Sequence, residues 1–384
     1  MDKKRLVMIP GPTPVVDSIR AEMAREIQAF GDPRFIADYK GLIDDLHEMF
    51  GNEDGGKTFV LAGSGTLGME MAIANSTKRG DKVLVVSHGF FGDRFVDICT
   101  AKGIEVDTIK SEWGKTVPVA DIEAQLSKKD YAAMTVSHVD TSTSVVADVA
   151  AIGAMMKKFP NTIYIVDGIC SSAAQYENLA EMNIDILFTG SQKAFGVCPG
   201  LFMLWANKKA MERRESLGVI PEYYVDYKRW VPIMDDPMNY FATPAINLIW
   251  ALKESVRIIK AEGGLKARYE RHLKHARAIN KAMEALGLKL LAEEGCRAVT
   301  LSDVLYPEGV DCLAFRKAMI AEGVIVAGGL GAYKGKMFRM GHMGNIETND
   351  VVAALSSLER VLNGFGKLSK FGAGVSTYLA EMAK

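Results

Sequence analysis

The chain carries almost no net charge: 46 Lys and Arg stand against 47 Asp and Glu, a formal balance of −1. A nucleic acid or an anionic membrane needs a basic field, and none is present. The triplet Lys3-Lys4-Arg5 is too short to supply one. No apolar run approaches the ~20 residues of a bilayer span. The apolar part of Met1–Pro10 is too short for a secretory leader. Cysteine is sparse, with Cys99, Cys170, Cys198, Cys296 and Cys312 odd in number and scattered. No CxxC and no His/Cys cluster accompany them, so neither a disulfide framework nor a structural metal is expected. His272 and His275 sit three apart on a helical stretch, but no third ligand is evident, and the pair reads as a solvated face. Repeats and low-complexity tracts are also missing. These absences predict a cytoplasmic globular protein with no metal, membrane or nucleic-acid partner.

The 384 residues, 48% hydrophobic and 24% charged, suffice for a large core and two domains. From about 55 to 206, apolar β-rich runs alternate with helical patterns. Strands are predicted at Thr58–Ala62, Lys82–Ser87, Val106–Ile109, Ala132–His138, Thr162–Asp167, Asp185–Thr189 and Leu201–Trp205. Helices are predicted over 65–78, 91–102, 119–128 and 148–158. Such alternation gives an α/β fold, a mainly parallel seven-stranded sheet flanked by helices. Residues 207–243 read as irregular. Two long helices follow, Ile246–Gly263 and Leu265–Leu286. The tail mixes short strands near 298–302, 323–326 and 337–340 with helices near 311–321 and 348–362, a smaller α+β unit. The expected division is an arm over 1–16, a large domain over 17–245, and connecting helices with a small domain over 246–384.

Two strands deliver charge at their ends. Ile163-Tyr-Ile-Val-Asp167 ends in a carboxylate, and Asp185-Ile-Leu-Phe-Thr-Gly-Ser-Gln-Lys193 places an amine just beyond its strand. Open α/β sheets bind ligands at that edge. The pair suits a pyridine cofactor: an acid keeps a ring nitrogen protonated, and an amine forms a Schiff base. Gly63-Ser64-Gly65-Thr66-Leu67-Gly68 also follows a strand and opens a helix. As GxGxxG it matches a dinucleotide fingerprint. That reading needs an acid at the end of the next strand for the ribose, and this strand ends in Ser87-His88-Gly89. A second reading is a monophosphate cup, built from the N–H groups of Gly65 and Thr66 with the Ser64 and Thr66 hydroxyls. A third is a turn without a ligand. The company of Asp167 and Lys193 favours the monophosphate.

Taken in order, these segments resemble the class V aminotransferases of the fold type I pyridoxal-phosphate enzymes, in particular the alanine–glyoxylate and serine–glyoxylate (serine–pyruvate) group. The likeness runs from Ile9-Pro-Gly-Pro-Thr-Pro14 through Gly63-Ser-Gly-Thr66, Gly89-Phe-Phe-Gly92, Val166-Asp167, Gly190-Ser-Gln-Lys193, Pro199-Gly200 and Tyr240-Phe-Ala-Thr-Pro244. It ends at Gly328-Gly-Leu-Gly331 and Gly335-Lys-Met-Phe-Arg339-Met-Gly-His-Met-Gly344.

The resemblance implies a role for each residue. Lys193 is the Schiff-base lysine and the base for the α-proton; Asp167 pairs with the pyridinium nitrogen. Phe91 stacks on the ring, although Phe90-Phe91 could equally be core. Thr141 and Gln192 lie near the cofactor, with satisfied loop groups as the plainer alternative. Tyr240 and Thr243 reach the phosphate from the neighbouring subunit of a homodimer; alternatively Thr243, before Pro244, caps a helix. Arg339 binds the substrate α-carboxylate through its planar fork. The chain departs from the pattern in Phe30-Gly-Asp-Pro-Arg34-Phe35, in Ser144 where glycine is usual, and in Asp140 where glutamate is usual. The expected activity is ping-pong transamination from alanine, serine or aspartate to glyoxylate or pyruvate. The rivals are a desulfurase or other lyase on the same cofactor, with Cys312 as the candidate thiol, and a nicotinamide dehydrogenase.

Overall fold

The computed structural model describes residues 5–384. Seven strands form one sheet in the spatial order Lys57–Gly63, Gly200–Ala206, Ile186–Gly190, Ile163–Asp167, Ala133–Ser137, Lys82–Ser87 and Glu105–Lys110. All seven lie where the alternation predicts. Six run the same way, and Gly200–Ala206 runs antiparallel to both its neighbours. The central strands are buried on both faces, which explains their unbroken apolar runs. Glu105–Lys110 lies at an edge, and its EVDTIK sequence is the charged alternation an edge tolerates.

The shared direction brings the ends of six strands to one rim. Gly63, Ser87, Ser137, Asp167 and Gly190 all sit there, and the reversed strand begins there at Gly200. The loops that leave this rim carry most of the residues singled out by sequence.

A second, three-stranded antiparallel sheet pairs Leu301–Leu305 with Met337–Gly341, and Met337–Gly341 with Ala327–Gly328. Leu6–Val7 of the arm adds parallel to Val324–Ile325. Buried apolar residues accordingly gather in two main bodies. One lies around the large sheet. The other joins Ile279, Met283, Phe315, Phe338, Leu355 and Tyr378. The helix Ile246–Ala261 buries its face in the first body. Gly264–Ala285, reached through Gly263 and Gly264 at φ +103° and +83°, serves the second.

Two readings need correction. Residues 207–243 are not irregular throughout: Lys208–Ser216 and Tyr227–Asp235 are helices. The first is so polar that no apolar stripe betrays it. Its anchor is Arg214, buried and paired with Asp226 at 2.8 Å. Nor are His272 and His275 solvated. His272 Nε2 accepts the Gly344 N–H at 3.0 Å, and His275 Nδ1 lies 2.8 Å from the Tyr378 hydroxyl. Distant segments cover that helix face, and the sequence of the helix alone gives no sign of them. Three helices also lie where the sequence reading placed no element: Asp17–Met23, Pro33–Met49 and Ala373–Met382.

Candidate active site

Asp167 closes its strand and is buried. Its Oδ1 accepts the Ile169 N–H at 2.9 Å and its Oδ2 the Ser137 hydroxyl at 3.2 Å. Burial is the main force on this carboxyl, and with the nearby Asp140 charge it pushes the pKa up to about 7. The Ile169 bond, the Ser137 bond and the Lys193 charge pull the other way.

Lys193 lies just beyond the neighbouring strand. Burial lowers its pKa, helped by the Arg339 charge and opposed by Cys170 and Asp167. Its amine donates to the Pro10 carbonyl. The arm is sewn to this segment twice more: the Thr13 N–H donates to the Gln192 carbonyl at 3.0 Å, and the Thr13 hydroxyl to the Lys193 carbonyl at 2.7 Å. These contacts come from more than 170 positions away, and sequence reading placed nothing of the arm at the lysine. Gly11 lies against the lysine side chain with no room for a Cβ. It stands at φ +108°, and a Cβ there would fall 2.6 Å from Lys193 Cδ. Gly11→Ala is therefore expected to displace the lysine side chain and cut turnover by ~10-fold or more, as small misplacements of reacting groups do. Steady-state assay beside a melting curve checks this, since loss of fold alone would lower the melting temperature first.

Ser64 precedes the helix Gly65–Ser76, and its hydroxyl makes no capping bond. Gly65 lets the Ile169 side chain pack close, since a Cβ would fall 2.3 Å from Ile169 Cδ1 and that side chain would have to shift. The Thr66 hydroxyl accepts a bond from Arg94 Nη1 at 3.2 Å, and the same guanidinium lies 4.9 Å from the Phe91 ring centre. Arg94 thus puts a cation beside the cup. Sequence reading passed over it, though its place one turn beyond Phe90-Phe91 on a predicted helix was a usable signal.

Asp140 fastens the start of the helix Phe90–Ala101, which carries Phe91 and Arg94. Its Oδ2 accepts the N–H groups of Phe91 at 3.0 Å and Gly92 at 3.1 Å, and its Oδ1 binds the Ser142 N–H and hydroxyl. A carboxylate at a helix N-terminus is favourable. Ser144 stands at φ +50°, where glycine is at ease, which accounts for the residue usual in the resembling family.

Arg339 belongs to the smaller sheet but reaches the rim. Its Nε donates to the Gly328 carbonyl at 2.7 Å and its Nη1 to the Thr141 carbonyl at 3.1 Å. Thr141 is buried beneath it. The Gln192 Oε1 is buried and meets no donor among the described residues. Tyr240 and Thr243 stand apart. Both are exposed, Tyr240 at 59%, with hydroxyls 3.2 Å from each other and the Tyr240 ring 5.0 Å from Phe30. Thr243 caps no helix: the following one begins at Ile246 with Ala245 at its N-cap position. Arg34 pairs with Asp32 at the start of Pro33–Met49 and is largely exposed.

The family model for aminotransferase class V matches residues 17–346. The chain belongs to the class V aminotransferases. A serine–glyoxylate aminotransferase of Hyphomicrobium methylovorum is 33% identical, covering 98% of this chain and 94% of its own. An L-aspartate–glyoxylate aminotransferase of Paracoccus denitrificans is 30% identical, covering 98% and 96%. The crystal structure of an alanine–glyoxylate aminotransferase from a Nostoc species superposes with a TM-score of 0.90 at 30% identity, covering 94% and 96%. The fold is thus the fold type I architecture, and the protein is a transaminase.

Membership in the class V aminotransferases implies pyridoxal phosphate. The residues at the rim fit it. An acid held at the edge of ionisation suits a ring nitrogen, an amine of lowered pKa suits the aldehyde carbon, and unspent polar atoms on Ser64 and Gln192 suit its oxygens. Among the described residues no group of His, Cys, Asp and Glu is placed to hold a metal, and no helix is long and apolar enough to cross a membrane.

Proposed function

We propose that this transaminase uses pyridoxal 5′-phosphate at the rim to move an amino group from alanine, serine or aspartate to glyoxylate or pyruvate, in the cytoplasm. One observation carries the reading: a half-buried lysine of lowered pKa and a buried strand-end aspartate share one rim with an arginine from the second sheet. When bound, the cofactor supplies the electron sink and carries the amine between the two half-reactions.

The residues divide the rest of the work. Lys193 anchors the cofactor, and its freed amine moves the proton of the substrate Cα. The lowered pKa leaves that amine able to accept it. Asp167 keeps the ring nitrogen protonated. The helix N-terminus at Gly65 and Thr66, with Ser64 and Gln192, holds the phosphate, and Phe91 backs the ring. Thr141 supports Arg339 from below. The Arg339 fork holds the α-carboxylate and so fixes which face of Cα meets Lys193. Two features weigh against the rivals. Cys312 opens a helix pinned by Asp311, whose Oδ1 accepts the Leu313 and Ala314 N–H groups, so it lacks a mobile loop. The strand after the glycine-rich turn ends in Ser87-His88-Gly89, without the acid that a dinucleotide fingerprint places at that strand end for the ribose.

The test is an absorption spectrum of the holoenzyme after separate additions of alanine, serine and aspartate. The visible band bleaches with the preferred donor and returns with glyoxylate or pyruvate. A band unmoved by every donor would sink the reading.

Tyr240 and Thr243 complete the site from the partner in a homodimer on this reading. Their exposure, and their distance from the contacts that tie the other residues together, support it. The expected result is complementation. Lys193→Ala and Tyr240→Ala/Thr243→Ala variants are each nearly inactive alone. Random re-association of equal amounts restores about a quarter of native sites, because half the dimers are mixed and each mixed dimer carries one intact site. No recovery, with mixed dimers demonstrated, would place both hydroxyls in the site of their own subunit, and native turnover of Tyr240→Ala/Thr243→Ala alone would place them outside any site.

A further inference from the structure

The register of the smaller sheet sets Asp303 directly opposite Arg339. Residues so paired share a face, with Cβ atoms about 4.5–5.5 Å apart. Asp303 is 0% exposed, and neither carboxyl oxygen meets a hydrogen-bond donor among the described residues. Arg339 does not turn to it, but gives its N–H groups to the Gly328 and Thr141 carbonyls. A buried carboxyl with both oxygens unspent is costly. The charged groups facing it are Arg339 from the paired strand and Asp140 from the loop at the rim. Asp140 has four bonds of its own. Ser144, the other polar neighbour, spends its hydroxyl on the Asp303 backbone N–H at 3.2 Å. Burial pushes the Asp303 carboxyl well above the usual range, with Arg339 pulling it down.

We propose that Asp303 is a specificity-determining residue that sets how tightly Arg339 holds a substrate carboxylate, because this corner accommodates one negative charge at a time. The proposal rests on the reading of Arg339 as the carboxylate receptor. A carboxylate on the guanidinium brings a second anion within a few ångströms of Asp303. At an effective dielectric constant of ~20, like charges ~6 Å apart oppose each other by roughly a hundredfold in affinity. The carboxylate therefore binds with Asp303 protonated. Above the Asp303 pKa, binding takes a proton from solution. A donor with a second carboxylate, such as aspartate, suffers more than alanine or serine.

The test titrates acetate into the holoenzyme by calorimetry, from about pH 6 to about pH 9, in buffers of different ionisation enthalpy. In the native protein the dissociation constant rises with pH, by up to roughly tenfold per unit, and proton uptake accompanies binding. In Asp303→Asn it stays level, without that uptake. The kcat/KM ratio of aspartate to alanine also rises, by roughly tenfold or more. Asp303→Asn leaves Lys193, Asp140 and the cofactor in place, so the difference between the two proteins reports Asp303. Equal proton uptake in the two proteins, with an unchanged substrate ratio, overturns the proposal. Asp303→Thr, neutral and smaller, repeats the comparison should Asp303→Asn fold poorly. Arg339→Ala separates the two levels: acetate binding that survives it removes the carboxylate reading of Arg339 itself, whatever Asp303 does.

Discussion

Lys193→Ala is expected to lower turnover by at least ~10⁴-fold, the upper range for removing a positioned acid–base group, because the same amine also anchors the cofactor. The visible band of lysine-bound cofactor should vanish at the same time. The fold should survive. The substitution loses the bond to the Pro10 carbonyl, but the bonds from Thr13 to the carbonyls of Gln192 and Lys193 also hold the arm to this segment, and alanine keeps both. The substitution also removes a buried amine, whose charged form burial disfavours. A melting temperature near that of the native protein, with no band and no turnover, is the predicted set. Native turnover in this variant would end the mechanism.

Asp167→Asn is the second large effect, with a loss on the order of 10²–10⁴-fold, since an amide cannot hold the proton on a ring nitrogen. Its stability signature runs the other way. In the cofactor-free protein the Asp167 pKa stands at about 7, against ~3.9 for an unfolded aspartate. The folded chain therefore binds more protons between those values. The contribution of Asp167 is fully present below the unfolded value and is lost as pH rises through the folded one. Asparagine does not titrate. The stability of Asp167→Asn relative to the native protein, both without cofactor, should thus rise from acid pH to about pH 7 and then level, by up to ~1.4 kcal/mol per unit. Bound cofactor should erase the trend, because its ring cation neutralises the carboxylate. Denaturant melts at several pH values read this directly. A constant offset between the two proteins would mean that Asp167 is not the group under strain.

The sequence alone determined the large sheet. Its strands are buried on both faces, so Val83–Val86 and Ile163–Val166 had to be written as unbroken apolar runs, and such runs are legible. The same holds for the placement of Asp167 and Lys193, because a strand that ends in Asp or delivers Lys marks the rim by itself. Only the tertiary structure decided the surroundings of that pair. The Pro10 carbonyl and Thr13 meet Lys193 across the chain, Arg94 meets Thr66, and Asp303 faces Arg339 through a register that no local pattern fixes. Burial was likewise settled by distant segments. His272 and His275 lie on a helix whose own residues look solvated until Gly344 and Tyr378 close over it. The physical reason is range. Periodicity reports which face of an element seeks apolar cover, whereas the charge state of Asp167, Lys193 or Asp303 depends on which groups from elsewhere exclude water around it.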